Sequence, residues 1–209
     1  MALLYKALVP AGKLFFYSIT RLQVEGTGNV PRSGPLIVAA NHLSTADPPL
    51  LGAVFPRCIT YMAKDELFNS PSAFLIRALG AFSARKFGKS GMALRQALRM
   101  LDEGKVLGVF PEGKRSPERR MDEGEIGVGF IALRAGVPVV PVGISGSEYL
   151  EGKRSIFRRP AVTVTIGQPL SFAKTRSKLS REQLRETTVT IMQGIARLLP
   201  PGYRGIYDG

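Results

Sequence analysis

The sequence predicts an α/β fold, a single mixed sheet flanked by helices, with an N-terminal interfacial amphipathic helix in front of it. Three observations lead there. Short apolar runs of strand length recur along the chain, each separated from the next by a helical segment. The helical segments carry apolar stripes at helical period, most clearly Ala93, Leu94, Ala97, Leu98 and Leu101. No repeat, low-complexity tract or linker divides the 209 residues, so 21–209 reads as one domain behind an N-terminal segment 1–20.

The N-terminal stretch MALLYKALVPAGKLFFYSIT is greasy, yet Lys6, Pro10, Gly12 and Lys13 interrupt it. A spanning helix needs about 20 mostly apolar residues, so a membrane span is not expected. No basic region precedes the apolar part and no small-x-small site follows, which speaks against a signal peptide. Lys6 and Lys13 lie seven residues apart, hence near one helical face, with Leu3, Leu4, Leu14, Phe15 and Phe16 elsewhere. The pattern fits a helix lying in a membrane interface, and equally an amphipathic helix capping the core.

RLQVEG (21–26) and PLIVAAN (35–41) read as strands around the turn-rich TGNVPRSG. Asp47 followed by Pro48 and Pro49 predicts a helix start, Asp at the N-cap, running through LLGAVFP. CITYMA (58–63) is a strand, in which Cys58 is expected as a buried small hydrophobe. Helical KDELF and SAFLIRALG, a brief AFSAR and a helix over 90–104 ending at Gly104 come next. VLGVF (106–110) is a strand, IGVGFIALRAG a helix and VPVVPVGI a strand. AVTVTIG (161–167) alternates as an edge or half-exposed strand should, and SREQLRETTVTIMQGIARLL closes the chain as an amphipathic helix.

The net charge of +13 predicts attraction to anions: acidic lipid, an acidic protein or nucleic acid. One cysteine excludes a disulfide framework, and one cysteine with one histidine leaves no zinc site of ordinary spacing. A nucleic-acid-binding domain would need aromatics interleaved with the basic groups. Here the aromatics sit in LFFY and within apolar runs, so no nucleic-acid partner is expected.

Three polar stretches follow apolar strand-like runs, where α/β sheets gather their ligands: NHLSTAD, FPEGKRSPERR and SARKFGKS. The first holds His42, the only histidine. Asp47 is five residues on, about 140° away on a helix, so the pair meets only across a tight loop. Such a contact would fix the imidazole tautomer and leave the other nitrogen as a general base. In the second, Pro111 and Gly113 suggest a fixed turn presenting Glu112, Lys114 and Arg115, groups suited to hydroxyls and phosphate. The third ends in GKS, but Ser83 stands where a phosphate-cradling loop needs glycine; Arg85 and Lys86 remain as anion-binding candidates. There is no G-x-S-x-G elbow. A base without a protein nucleophile suggests that the substrate supplies the hydroxyl.

In combination these stretches resemble the 1-acyl-sn-glycerol-3-phosphate acyltransferase (lysophosphatidic acid acyltransferase) family. NHLSTAD matches its N-H-x-x-x-x-D block. KDEL and GAFSAR are similar to its second block, FPEGKRS to F-P-E-G-T-R-S, and VPVVPVGI to its V-P-[IV]-[IV]-P-V strand. The four blocks stand in the family's order over roughly residues 20–145. Lys114 replaces the usual threonine, and Ser83 and Ala84 stand where the family often has Ile and Asp.

The resemblance implies a catalytic base at His42, an orienting acid at Asp47, a phosphate contact at Arg85, and acceptor binding by Glu112 and Arg115 within the turn that Gly113 and Lys114 complete. It implies acyl transfer from acyl-CoA or acyl-carrier protein to the hydroxyl of a lysophosphatidic acid-like acceptor. No metal or resident cofactor is expected. The expected partners are the lysophospholipid acceptor, the donor and an anionic membrane surface, approached peripherally or monotopically from the cytoplasmic side. GKRSIFRRP (152–160), with Lys153, Arg154, Arg158 and Arg159 around Ile156 and Phe157, could touch headgroups or be a solvated basic loop. Related acyltransferases using glycerol-3-phosphate, another lysophospholipid or a lyso-ornithine lipid, and a thioester hydrolase, are the competing readings.

Overall fold

A computed structural model describes residues 2–63, 82–83, 90–151 and 158–208. Helix α1 (Ala2–Ile19) is followed by strands β1 (Arg21–Glu25) and β2 (Leu36–Ala40), helix α2 (Asp47–Val54), and strands β3 (Ile59–Ala63) and β4 (Phe82–Ser83). Helix α3 (Ser90–Asp102), strand β5 (Val106–Val109), helix α4 (Gly127–Ala135), strands β6 (Val139–Ser145) and β7 (Ala161–Ile166) and helix α5 (Arg181–Ala196) complete the described order. The expected helices over KDELF and SAFLIRALG, with Arg85, Lys86, Lys153 and Arg154, lie outside the described residues.

The strands form one mixed sheet in the order β1-β7-β6-β2-β5-β3-β4. From β6 to β4 all neighbours are parallel; β7 runs antiparallel to β6, and β1 parallel to β7. β2 is central, and all five of its residues are buried because helices cover both faces. Its alternation sorts the core. Leu36, Val38 and Ala40 join Phe16 of α1 and Leu50 and Leu51 of α2 on one side. Ile37 and Ala39 join Leu101 of α3, Ile131 of α4 and Ile191 and Met192 of α5 on the other. At about 25 cal/mol per Å2 of apolar surface removed from water, burial on both faces makes β2 a main contributor to the core.

The helix ends follow their sequence signals. Gly104, with φ 77°, closes α3, and its successor Lys105 donates its N–H to the Met100 carbonyl. Ser180 and Gln183 form a reciprocal capping box at the start of α5. α1 continues through Pro10, and among the described residues no helix is long and apolar enough to cross a membrane.

β7 alternates between buried and half-buried positions, the half-exposed one of the two expected forms, with β1 on its outer side. Two expectations need correction. Cys58 is exposed, because strand pairing starts only at Ile59. Asp47 is the first residue of α2 rather than its N-cap, which is Ala46. Its carboxylate turns back into the preceding loop instead of capping the helix.

Candidate active site

β2 delivers Asn41 and His42 to the carboxyl edge of the sheet. The buried Asn41 amide fixes them there: its Nδ2 donates to the Ile144 carbonyl and its Oδ1 accepts the Ile144 N–H, both at 2.8 Å. This clamp to β6 has no counterpart among the site residues expected from sequence. Its signal, an amide beginning the polar run after a buried strand, was present but unspecific.

The loop after His42 is wound around one oxygen. Oδ2 of the fully buried Asp47 accepts the Leu43 N–H at 2.7 Å and the Ser44 N–H at 2.8 Å. The same oxygen lies 2.9 Å from His42 Nδ1. Asp47 is the first residue of α2, so its carboxylate stands where the helix meets this loop. An oxygen already taking two N–H groups takes the imidazole as a third donor. That puts the ring proton on Nδ1 and the lone pair on Nε2. The ring lies over Phe110, centroids 4.2 Å apart and planes 25° apart, and Phe110 in turn faces Tyr61 at 6.1 Å. Tyr61 reaches this column because it lies across Gly108, where a Cβ would strike its ring. His42 thus keeps one face on an aromatic surface and its side chain 17% exposed, open enough to meet a substrate.

β5 pairs beside β2, so Phe110–Glu112 leave the sheet next to His42. Glu112 is buried. Its Oε1 accepts the His42 N–H and its Oε2 the Asp122 N–H, each at 3.1 Å. Burial pushes its carboxyl above the usual range, and the two N–H donors work against that push. Ser116 completes the contact by donating its N–H to the His42 carbonyl at 2.9 Å. Gly113 holds φ 66°, so the turn that reverses the chain here suits glycine. Glu112, expected from sequence to bind the acceptor, is buried in this structure and braces two loops through the His42 and Asp122 N–H groups.

The cations lie on the rim. Lys114 pairs with Asp122 at 2.8 Å; that contact raises the lysine pKa and lowers the aspartate's, both groups being exposed. Arg115 pairs with Glu151 at 2.8 Å, and Arg119 lies over Tyr149 while donating to its hydroxyl at 3.1 Å. Exposed pairs of this kind contribute about 0–1 kcal/mol, so Arg115 can exchange its carboxylate for a phosphate at little cost. His42, Asp47, Glu112 and Gly113 are therefore gathered at one place, with Lys114 and Arg115 beside them. Arg85 lies outside the described residues. Among those described, no group of three His, Cys, Asp or Glu side chains could hold a metal ion.

Comparison with known proteins agrees with this geometry. Residues 21–145 match the model of the family described as Acyltransferase. The 1-acyl-sn-glycerol-3-phosphate acyltransferase of Bacillus subtilis is 28% identical over 198 residues, covering 93% of this chain and 96% of that one. The enzyme of the same name from Saccharomyces cerevisiae is 31% identical over 196 residues, 86% of this chain and 64% of its own. The crystal structure of the 1-acyl-sn-glycerophosphate acyltransferase PlsC from Thermotoga maritima superposes with a TM-score of 0.69 at 31% identity, covering 93% of this chain and 79% of that one. A family match over more than half of the chain, with a mixed sheet shared with that crystal structure, leads to one conclusion: the chain belongs to the acyltransferase family and is an O-acyltransferase.

Proposed function

We propose that the enzyme moves a fatty acyl group from acyl-CoA or acyl-carrier protein to the free hydroxyl of 1-acyl-glycerol-3-phosphate, giving phosphatidic acid for phospholipid synthesis. The observation that carries this reading is the 2.9 Å contact between His42 Nδ1 and Asp47 Oδ2, which leaves Nε2 as base at the carboxyl edge of the sheet. The acceptor named for the similar bacterial and yeast enzymes supports the choice of substrate.

The acceptor hydroxyl gives its proton to Nε2 as its oxygen bonds to the thioester carbonyl carbon. The tetrahedral intermediate collapses, the C–S bond breaks, and the leaving thiolate takes the proton back from the imidazolium. Asp47 stabilises that imidazolium and fixes the ring. The acceptor phosphate falls to Arg115 and Arg85, which turns encounter into alignment. The step asks for no metal and no resident cofactor.

On this reading the enzyme works peripherally at the cytoplasmic face of an anionic membrane. α1 exposes Leu14, Phe15 and Tyr17 beside Lys13, a surface suited to a headgroup layer.

One assay tests both parts: thiol release from palmitoyl-CoA, with the acceptor absent, dispersed in detergent, or carried in phosphatidylglycerol vesicles. Release should require the acceptor; equal release without it would make the enzyme a hydrolase. Replacing Leu14 and Phe15 by serine should leave the detergent rate unchanged and slow the vesicle rate by about tenfold. Equal losses in both formats would sink the membrane role of α1.

A further inference from the structure

Residues 200–208 follow α5 and lie beyond the matched family segment, yet they reach the active-site loops from behind. The Tyr203 carbonyl accepts the Met121 N–H at 2.9 Å. The Tyr207 hydroxyl accepts the Gly124 N–H at 3.4 Å. Between these two anchored amides lies Asp122, whose N–H holds Glu112 Oε2, and Glu112 Oε1 holds the backbone of His42. Gly205 shows how closely the strap is seated: it holds φ 58°, and a Cβ there would strike the Met121 carbonyl.

Tyr203 makes a second connection. Its hydroxyl donates to Glu148 Oε1 at 2.6 Å. Glu148 belongs to the 3-10 turn Ser147–Leu150, which also presents Tyr149 to Arg119 and leads into Glu151, the partner of Arg115. Glu151 Oε1 also accepts the Thr45 N–H at 3.4 Å, in the loop between His42 and Asp47. Burial, with Glu148 beside it, pushes the Tyr203 phenol up to about 12, so it remains a donor wherever the enzyme works. One residue therefore holds both walls of the site, the Glu112 brace through its carbonyl and the Arg115 rim through its hydroxyl.

We propose that the strap 200–208 is a positioning element of the acyl-transfer site and that Tyr203 is its positioning residue, holding the Arg115 rim where the acceptor phosphate binds. The inference rests on the acceptor reading above and specifies what keeps that site in register. Loosening a group that holds the acceptor equally in the ground and transition states raises KM and leaves kcat nearly unchanged.

The test uses the full-length enzyme. Tyr203→Phe deletes only the phenol donor, and should raise the KM for 1-acyl-glycerol-3-phosphate about fivefold while kcat stays within about twofold. Glu148→Gln keeps an acceptor oxygen for the phenol and should retain the wild-type KM. Gly205→Val should lift the strap from Met121 and speed amide hydrogen exchange across 110–124 by at least about tenfold. Tyr207→Phe repeats that exchange test without added bulk, since it deletes only the acceptor for Gly124. An unchanged KM in Tyr203→Phe, or a fall in kcat that only tracks lost folded protein, would overturn the role of Tyr203. Unaltered exchange in both strap variants would overturn the clamp. If the wild-type enzyme transfers no acyl group to this acceptor, the substrate reading fails separately, and the exchange measurements still decide whether the strap holds the loop.

Discussion

His42→Ala is expected to lower kcat for acyl transfer by on the order of 10³-fold, within the range ascribed to a positioned general base. The chain offers no substitute, since it contains no other histidine. Folding should survive, because the imidazole is partly exposed and its main-chain contacts to Glu112 and Ser116 belong to the backbone. Leu43 and Ser44 continue to occupy Asp47 Oδ2 in the variant. The check is thiol release with saturating acceptor, alongside a melting curve. A variant that melts like the wild type and still turns over within tenfold of it would make His42 a structural residue.

Glu112→Ala is expected to harm stability and rate together. The change removes the acceptor of two N–H groups, those of His42 and Asp122, in a buried place. Each buried donor left without a partner costs about 1–3 kcal/mol, so the loss should reach roughly 2–6 kcal/mol and lower the melting temperature by roughly 5–20 °C. The surviving folded enzyme should show kcat reduced by about 10²-fold, because the backbone carrying the base is no longer held. Glu112→Gln keeps one acceptor oxygen and turns an NH2 toward the other donor, and should fall between the two. These outcomes separate a brace from an acceptor ligand. A residue that merely bound glycerol hydroxyls would raise KM and leave the melting temperature alone.

That brace shows where sequence reasoning stops. β2 could be read from five consecutive apolar residues, and the end of α3 from Gly104, because local pattern and local capping decide both. The pairing of His42 with Asp47 was open to inference for the same reason: only five residues and one tight loop separate them. Glu112 is different. Its partner His42 is 70 residues away, and the two meet because β2 and β5 are neighbours in the sheet. No periodicity encodes that adjacency, so the sequence of the turn does not show that Glu112 is buried against His42 while Lys114 and Arg115 stay exposed. The same holds for the Asn41 clamp to Ile144 across 103 residues and for Tyr203 on Met121. Asp47 was misplaced by one position for a smaller reason. Its oxygen is committed to the loop it follows, and an N-cap pattern in sequence does not distinguish which neighbouring N–H groups a carboxylate will take.

Everything attributed to His42 depends on which ring nitrogen carries the proton. Because the chain has a single histidine, enzyme labelled with 15N in its histidine gives one imidazole to observe. At a pH where the ring is neutral, the two nitrogen resonances report directly which one is protonated. A protonated Nδ1 and a bare Nε2 are expected, as the contact to Asp47 Oδ2 requires. A bare Nδ1 with the proton on Nε2 would contradict donation from His42 Nδ1 to Asp47 Oδ2, and would leave the acceptor hydroxyl with no base to receive its proton.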